Sequence, residues 1–68
     1  MDIKQAVGKR VKELRNKIGI SQEELADNAQ LDRTYITSVE CGKRNISIVN
    51  IEKLANALNV TLAEFFTF

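Results

Sequence analysis

The fold of this chain is decided by the stretch from Gln22 to Val39, QEELADNAQLDRTYITSV, and by the residues that border it. Ser21 and Glu24 have the spacing of a capping box, in which each side chain bonds the other residue's backbone N–H. This spacing predicts a helix over about residues 22–28. Asp32 is a good N-cap for another helix that runs to about Glu40. The stretch is therefore predicted to form two short helices joined by a tight turn.

Four apolar side chains are expected to hold these two helices together. Short helices joined by a tight turn cross at a steep angle, so the first helix needs a small residue at the crossing. Ala26 meets this need. Ile36 and Val39 are expected to pack from the second helix, and Leu31 fills the turn between them.

Three further helices are predicted from apolar spacing and from caps. In the first helix, apolar residues recur in steps of four, four, three and four and so share one stripe: Ile3, Val7, Val11, Leu14 and Ile18. Gly19 is a natural left-handed cap for its end. Ser47 caps a fourth helix with its own apolar set: Ile48, Ile51, Leu54, Ala55 and Leu58. Thr61 and Glu64 form a second capping box, which opens a short fifth helix. The predicted fold is one compact all-α domain of five helices over residues 1–68.

The composition excludes several classes of protein. Cys41 is the only cysteine and histidine is absent, so neither a disulfide nor a His/Cys metal site is expected. There is no glycine-rich phosphate loop, and the adjacent Glu23 and Glu24 point to different sides of their helix. We therefore expect no enzymatic activity, no cofactor, no metal and no small-molecule ligand. No apolar run reaches the roughly 18 residues of a membrane span, and the first residues lack the apolar region of a signal peptide. A cytoplasmic protein without membrane contact is predicted.

The charge is segregated along the chain, although the net charge is only +1. Residues 1–19 hold six basic residues: Lys4, Lys9, Arg10, Lys12, Arg15 and Lys17. Lys43 and Arg44 form a second basic group, whereas acids concentrate at Glu23, Glu24 and Asp27. Segregation of this kind is typical of a protein with a charged binding face.

The central stretch resembles the helix-turn-helix of the phage-repressor (xenobiotic-response-element) family. Counted from Gln22, Ala26 is the fifth residue, Leu31 the tenth, Ile36 the fifteenth and Val39 the eighteenth. The resemblance extends from Gly8-Lys9-Arg10 to Leu54-Ala55-Asn56-Ala57-Leu58. It implies a lambda-repressor-like DNA-binding domain with the helix-turn-helix at the second and third helices.

A narrower resemblance is to the controller proteins of restriction–modification systems. It rests on Leu31-Asp32-Arg33-Thr34-Tyr35-Ile36, on Glu40 and on Arg44-Asn45-Ile46-Ser47. Such proteins are stand-alone dimeric regulators of their own operon and of the endonuclease gene beside it. The alternatives are an antitoxin or a phage-type repressor of the same fold, and a protein-interaction module that has lost DNA binding.

Two residues depart from the usual family pattern. Gln30 stands at the ninth position of the motif, where the family usually has glycine in a left-handed conformation, and this costs a non-glycine residue about 1 kcal/mol. Ile46 stands where many relatives have proline. Controller proteins often have an apolar residue at this position, so Ile46 favours the narrower resemblance.

The resemblance implies a role for each part of the motif, because the second helix enters the major groove in such proteins. Five residues are expected to contact bases: Arg33, Thr34, Tyr35, Thr37 and Ser38. Arg33 is the best candidate, since a guanidinium can donate twice to guanine. Five are expected on the DNA backbone: Gln22, Lys43, Arg44, Asn45 and Ser47. The family pair that joins the first and third helices is assigned to Arg10 and Glu40.

A second copy of the chain is the other expected partner, because a single module binds weakly and a twofold dimer contacts two half-sites. The apolar residues that exceed the needs of a small core are assigned to the dimer interface: Val49, Phe65, Phe66 and Phe68. RNA polymerase is a candidate partner for the acidic patch of Glu23, Glu24 and Asp27. The sequence does not distinguish activation from repression.

Overall fold

A computed structural model describes all 68 residues, Met1–Phe68. It contains five helices and no strand: α1 (Ile3–Ile18), α2 (Gln22–Ala29), α3 (Arg33–Glu40), α4 (Ile48–Ala57) and α5 (Leu62–Phe65). The main contacts are α1 with α3, α2 with both α3 and α4, and α4 with α5. The predicted all-α architecture of five helices is confirmed, with α2 and α3 as the central pair.

The helix starts are set by side-chain caps. The Ser21 hydroxyl accepts from the backbone N–H of Glu24 at 3.0 Å, and the Glu24 carboxylate accepts from the N–H of Ser21 at 3.3 Å. Thr61 and Glu64 form the same reciprocal pair at the start of α5, at 3.1 and 3.0 Å. Hydrogen bonds from Thr61 lower the pKa of the Glu64 carboxyl. Both predicted capping boxes are thus confirmed.

One predicted cap differs in its detail. Asp32 occupies the N-cap position of α3, as predicted, but its side chain makes no capping hydrogen bond. The carboxylate is exposed at the position where α3 begins. The first N–H groups of α3 therefore lack a side-chain partner from the N-cap.

The turn between α2 and α3 has the left-handed conformation that the family resemblance implies at Gln30. Gln30 has φ 57° and ψ 45°, which is the left-handed region. The N–H of Gln30 donates to the carbonyl of Asp27 at 3.2 Å, and the N–H of Leu31 donates to the carbonyl of Ala26 at 2.9 Å. These bonds satisfy the last carbonyls of α2. They also direct the chain into α3 within a few residues.

The core consists of thirteen buried apolar residues, drawn from all five helices: Val7, Val11, Leu14, Leu25, Ala26, Ala29, Ile36, Val39, Ile51, Leu54, Ala55, Leu58 and Phe65. The predicted motif residues Ala26, Ile36 and Val39 are buried, and Leu31 packs against the core from the turn. Burial of these residues fixes α2 and α3 relative to the rest of the domain.

Four residues lie elsewhere than predicted. Phe65 has no exposed surface and belongs to the core, so its assignment to a dimer interface is wrong. The four-residue α5 turns this ring inward, and its neighbour Phe66 stays on the surface. Conversely, Ile3, Ile18 and Ile48 are exposed, because they lie at helix ends that extend past the core.

The close approach of α1 to the end of α3 depends on Gly8. A Cβ atom added at Gly8 would overlap the backbone carbonyl oxygen of Val39 and would lie 3.2 Å from that of Glu40. Gly8 is buried in the middle of α1. It therefore allows the backbones of α1 and α3 to come into contact, and this contact fixes the position of the end of α3 against α1.

Arg10 does not pair with Glu40, contrary to the sequence-based expectation. Its guanidinium donates to the carbonyls of Phe65 at 3.0 Å and Glu64 at 2.6 Å, which places it at the end of α5. The partner of Glu40 is Arg15. Arg15 lies two helical turns after Gly8, on the face of α1 that packs against α3, whereas Arg10 lies on the opposite side. The predicted link between α1 and α3 exists, but five residues further along α1.

Candidate nucleic-acid interface

One face of α3 is polar and open. Thr34, Thr37 and Ser38 lie on the side of the helix opposite the buried Ile36 and Val39. Arg33 and Tyr35 flank this side and complete the predicted base-contacting set. Arg33, Thr34 and Thr37 are exposed, whereas Tyr35 and Ser38 are half-buried. The five predicted residues thus form one continuous surface, which we call the α3 face.

A hydrogen-bonded network fixes the α3 face relative to α1 and α2. The Arg15 guanidinium donates to both carboxylate oxygens of Glu40, at 2.7 and 3.0 Å. The Nε2 of Gln22 donates to the same carboxylate at 3.1 Å, and its Oε1 accepts from the Thr37 hydroxyl at 3.0 Å. The Arg15 and Glu40 side chains are only 12% and 4% exposed. Hydrogen bonding to Glu40 raises the pKa of Arg15, so this cation stays charged at any ordinary pH.

Tyr35 connects the α3 face to the loop before α4. Its hydroxyl oxygen accepts from the Nδ2 of Asn50 at 3.1 Å, which leaves its own O–H hydrogen free to donate. The guanidinium carbon of Arg44 lies 5.0 Å from the centre of the Tyr35 ring, within the range of a cation–π contact. The half-buried ring also packs against the core. Tyr35 is therefore held in place, with a hydroxyl hydrogen that is not used within the protein.

The residues predicted for the DNA backbone lie on the two flanks of the α3 face. Gln22, at the first position of α2, lies beside Thr37 on one flank. Lys43, Arg44 and Asn45 are exposed in the loop before α4, and the Arg44–Tyr35 contact places this loop on the other flank.

Ser47 belongs to the same loop, but its hydroxyl has a structural task. It accepts from the backbone N–H of Asn50 at 3.1 Å and so caps α4. Ser47 therefore lies at the N-terminus of the ten-residue α4, and the backbone N–H groups of such a terminus carry partial positive charge that attracts anions. Ile46, which precedes it, packs against the core and anchors the loop.

An apolar surface lies near the C-terminus. Val49, Phe66 and Phe68 are 59%, 41% and 54% exposed. The Phe66 ring stands edge-on to Phe65 at 5.1 Å between centroids and stacks on Phe68 at 6.3 Å. Three of the four residues predicted for a dimer interface are therefore on the surface.

Sequence reasoning missed two residues of the interface region, Arg15 and Asn50. Arg15 was one of six basic residues in the first helix, and only the packing of Gly8 against α3 distinguishes it from the others. Nothing in the sequence around Asn50 indicates its bond to Tyr35, fifteen residues earlier.

Two further findings concern the whole chain. None of the five helices has both the length and the apolar character needed to cross a membrane. No cluster of three or more His, Cys, Asp or Glu side chains is arranged to hold a metal ion.

An exposed polar helix, braced by the helix before it across a tight turn, is the geometry of a helix-turn-helix protein. In agreement, the chain matches the family described as Helix-turn-helix over residues 11–65. Among curated proteins, the control protein C.MunI of a Mycoplasma species is 49% identical over 67 residues, which are 97% of this chain and 90% of that protein. The control protein C.BamHI of Bacillus amyloliquefaciens is 41% identical over 98% of this chain and 84% of its own length.

Solved structures give the same result. The restriction–modification controller protein C.AhdI from Aeromonas hydrophila has a TM-score of 0.92 and 47% identity, over 97% of this chain and all of that one. The controller protein C.Esp1396I, crystallised as a tetramer in complex with its natural 35-base-pair operator, has a TM-score of 0.88 and 36% identity, over 93% of this chain and 83% of that one. This chain therefore belongs to the helix-turn-helix family, within its group of restriction–modification controller proteins. The family resemblance seen in the sequence, in its broad and narrow forms, is confirmed.

Proposed function

We propose that this chain is a sequence-specific DNA-binding regulator of transcription that controls the operon of a restriction–modification system. The observation that carries the proposal is the α3 face, a polar surface held by the Gln22–Glu40–Arg15 network and flanked by basic residues. The relative C.Esp1396I, which has the same fold, was crystallised on its operator. Regulation of this kind takes place in the cytoplasm, where operator DNA is accessible.

The α3 face enters the major groove, where its residues contact base edges and the neighbouring phosphates. Arg33, at the first position of α3, donates two parallel hydrogen bonds to O6 and N7 of a guanine. Thr34 contacts a thymine methyl group or a phosphate. Tyr35 donates its free O–H hydrogen to a phosphate oxygen, because Asn50 already occupies one of its lone pairs.

The flanks of the α3 face hold the DNA backbone. Lys43, Arg44 and Asn45 contact phosphates on one flank, together with the N-terminus of α4 at Ser47. Gln22, at the N-terminus of α2, lies near a phosphate on the other flank. Such contacts set the position of the protein on the duplex and add affinity, but they do not select a sequence.

The functional unit is a homodimer on a pseudo-palindromic operator. One α3 reaches a single half-site, and two half-sites about 34 Å apart require two copies related by a twofold axis. The apolar residues Val49, Phe66 and Phe68 supply the surface that the copies bury against each other. A shallow groove of about 200 Å³ beside Phe66, lined by Ile3, Ile46 and other residues, extends this surface.

The acidic residues Glu23, Glu24 and Asp27 are exposed on α2. They form the surface through which an activator would contact RNA polymerase. Glu24 is already engaged in the capping box of α2, so Glu23 and Asp27 are the freer members.

The function is tested by titrating the protein into a labelled duplex taken from the DNA upstream of its gene. A duplex of the same composition with the sequence shuffled is the control. We expect tighter binding to the upstream duplex, and binding to both that weakens steeply with salt. Equal affinity for the two duplexes would contradict sequence-specific regulation, and no salt-sensitive binding would favour a protein-interaction module. Sedimentation of Phe66→Ser and Phe68→Ser variants tests the dimer surface.

A further inference from the structure

On the α3 face, only the Thr37 hydroxyl donates a hydrogen bond to a side chain of another helix. Its Oγ1 lies 3.0 Å from the Oε1 of Gln22 and 3.2 Å from the backbone carbonyl of Arg33. Both neighbours are oxygens that can only accept. The single hydroxyl hydrogen is therefore directed into the protein, and the lone pairs of Oγ1 are directed away from it.

The orientation of the Gln22 amide follows from Glu40. The Glu40 carboxylate accepts from the Arg15 guanidinium on both oxygens, so the Gln22 group that faces it at 3.1 Å must be the donor, the Nε2 amine. Gln22 then turns its carbonyl oxygen toward Thr37. Thr37 thus donates to Gln22, and Gln22 donates to Glu40, whose carboxylate is held by the charged Arg15. This sequence of hydrogen bonds fixes the direction of the Thr37 hydroxyl.

We infer that Thr37 acts as an obligate hydrogen-bond acceptor toward DNA and so determines specificity for an exocyclic amino group. In the major groove this group is N4 of cytosine or N6 of adenine. The other polar atoms in the major groove are acceptors, namely guanine O6 and N7, adenine N7 and thymine O4. Each would bring its lone pair against a lone pair of the Thr37 oxygen, which is repulsive. The inference rests on the proposed function, since it names what one residue of that site selects.

In the operator, this preference determines which strand carries the base that Thr37 contacts. Each base pair carries one amino group in the major groove, on cytosine or on adenine. Thr37 therefore distinguishes the two orientations of the pair that it faces. Ser38 offers a contrast, because its hydroxyl donates only to the Thr34 carbonyl of its own helix, at 3.0 Å, and no side chain restrains it. Ser38 can turn and act in either sense.

The test combines amino-deleted bases with an isosteric variant. Duplexes are first selected from a random library with the wild-type protein. In the selected sequence, purine replaces adenine or pyrimidin-2-one replaces cytosine at one position at a time, which removes the amino group. Binding is measured for wild type and for Thr37→Val, which keeps the shape of the side chain and loses the hydroxyl. The comparison cancels any weakening of the base pair itself, because both proteins bind the same duplex.

At one position in each half-site, we expect deletion of the amino group to weaken wild-type binding about fivefold more than binding by Thr37→Val, the value of one hydrogen bond. Ser38→Ala, as the matched control, should respond to that deletion as wild type does. In Glu40→Gln the new amide can donate to Gln22, so the Gln22 amide can reverse and the fivefold difference should shrink.

Two results would overturn the inference. The first is a difference between wild type and Thr37→Val that depends on purine N7, an acceptor that is removed in 7-deazapurines. This result would make Thr37 a donor. The second is that, at every position of the half-site, deletion of the amino group weakens binding by wild type and by Thr37→Val equally. Failure of the proposed function has a different signature, because the wild-type protein would then enrich no sequence in the selection step.

Discussion

Replacing Glu40 with alanine removes the one carboxylate that joins α1, α2 and α3. The change leaves the Arg15 guanidinium with only the Ile20 carbonyl as a partner, at 3.0 Å, and leaves the Nε2 of Gln22 without its acceptor. Removing one member of a buried ion pair costs about 3–5 kcal/mol, because the other charge stays buried without compensation. The Arg15 side chain is 12% exposed and retains one partner, so the lower end of this range applies.

We therefore expect Glu40→Ala to lower the free energy of unfolding by about 3 kcal/mol. For a domain of this size, such a loss lowers Tm by roughly 12–24 °C. Thermal and urea unfolding followed by circular dichroism measure both quantities. Glu13→Ala is the matched control, because the exposed Glu13 lies 3.9 Å from Arg10, which keeps its bonds to the α5 carbonyls, and the loss of Glu13 should cost less than about 1 kcal/mol.

The double variant Arg15→Met/Glu40→Leu separates charge from packing. Since it removes both charges together, it should be more stable than Glu40→Ala, although it still lacks the anchor of Gln22. Like Glu40→Ala, this variant should bind the operator more weakly than wild type, because Gln22 and the α3 face are no longer fixed. The reasoning would be refuted if Glu40→Ala cost no more than Glu13→Ala, or if the double variant bound the operator as tightly as wild type.

Three further predictions follow from the fold and from the basic flank. Gln30→Gly should raise the free energy of unfolding by about 0.5 kcal/mol in urea unfolding, because relief at φ 57° outweighs the extra freedom of the unfolded glycine; a loss of stability would contradict this. Gly8→Ala should lower it by more than about 2 kcal/mol, despite the better helix propensity of alanine, since the new Cβ overlaps the Val39 carbonyl; wild-type stability would show that α1 and α3 can separate freely. Arg44→Ala should reduce the salt dependence of DNA binding by about one unit of log–log slope per subunit, with the preference for operator over shuffled DNA unchanged, as one phosphate contact requires.

The elements that depend on neighbours in the chain could be predicted from the sequence. Capping boxes at Ser21 and Thr61 involve residues three apart, and the left-handed conformation of Gln30 is implied by its position in the family's helix-turn-helix. Each of these features is a local arrangement whose geometry is the same in any protein. Their positions in the structure agree with the prediction for this reason.

Features that depend on packing between distant segments could not be predicted in the same way. The choice of Arg15 over Arg10 depends on which face of α1 meets α3, and both residues lie outside the apolar stripe. The burial of Phe65 depends on how α5 docks, because two adjacent phenylalanines cannot both face the core. Ile48 satisfies the apolar spacing of its helix, but it lies at the first position of α4, where the core ends.

Specificity of the α3 face is tested most directly by comparing wild type, Arg33→Ala and Arg33→Lys on operator and shuffled duplexes. Both variants should keep the wild-type Tm, because Arg33 is exposed and makes no side-chain bond within the protein. We predict that Arg33→Ala weakens operator binding by about 10- to 100-fold and shuffled binding far less, as the loss of a bidentate contact to guanine requires. Arg33→Lys keeps the charge without the planar fork, so it should also lose specificity. Equal losses on the two duplexes, or no loss on either, would contradict base contact by Arg33.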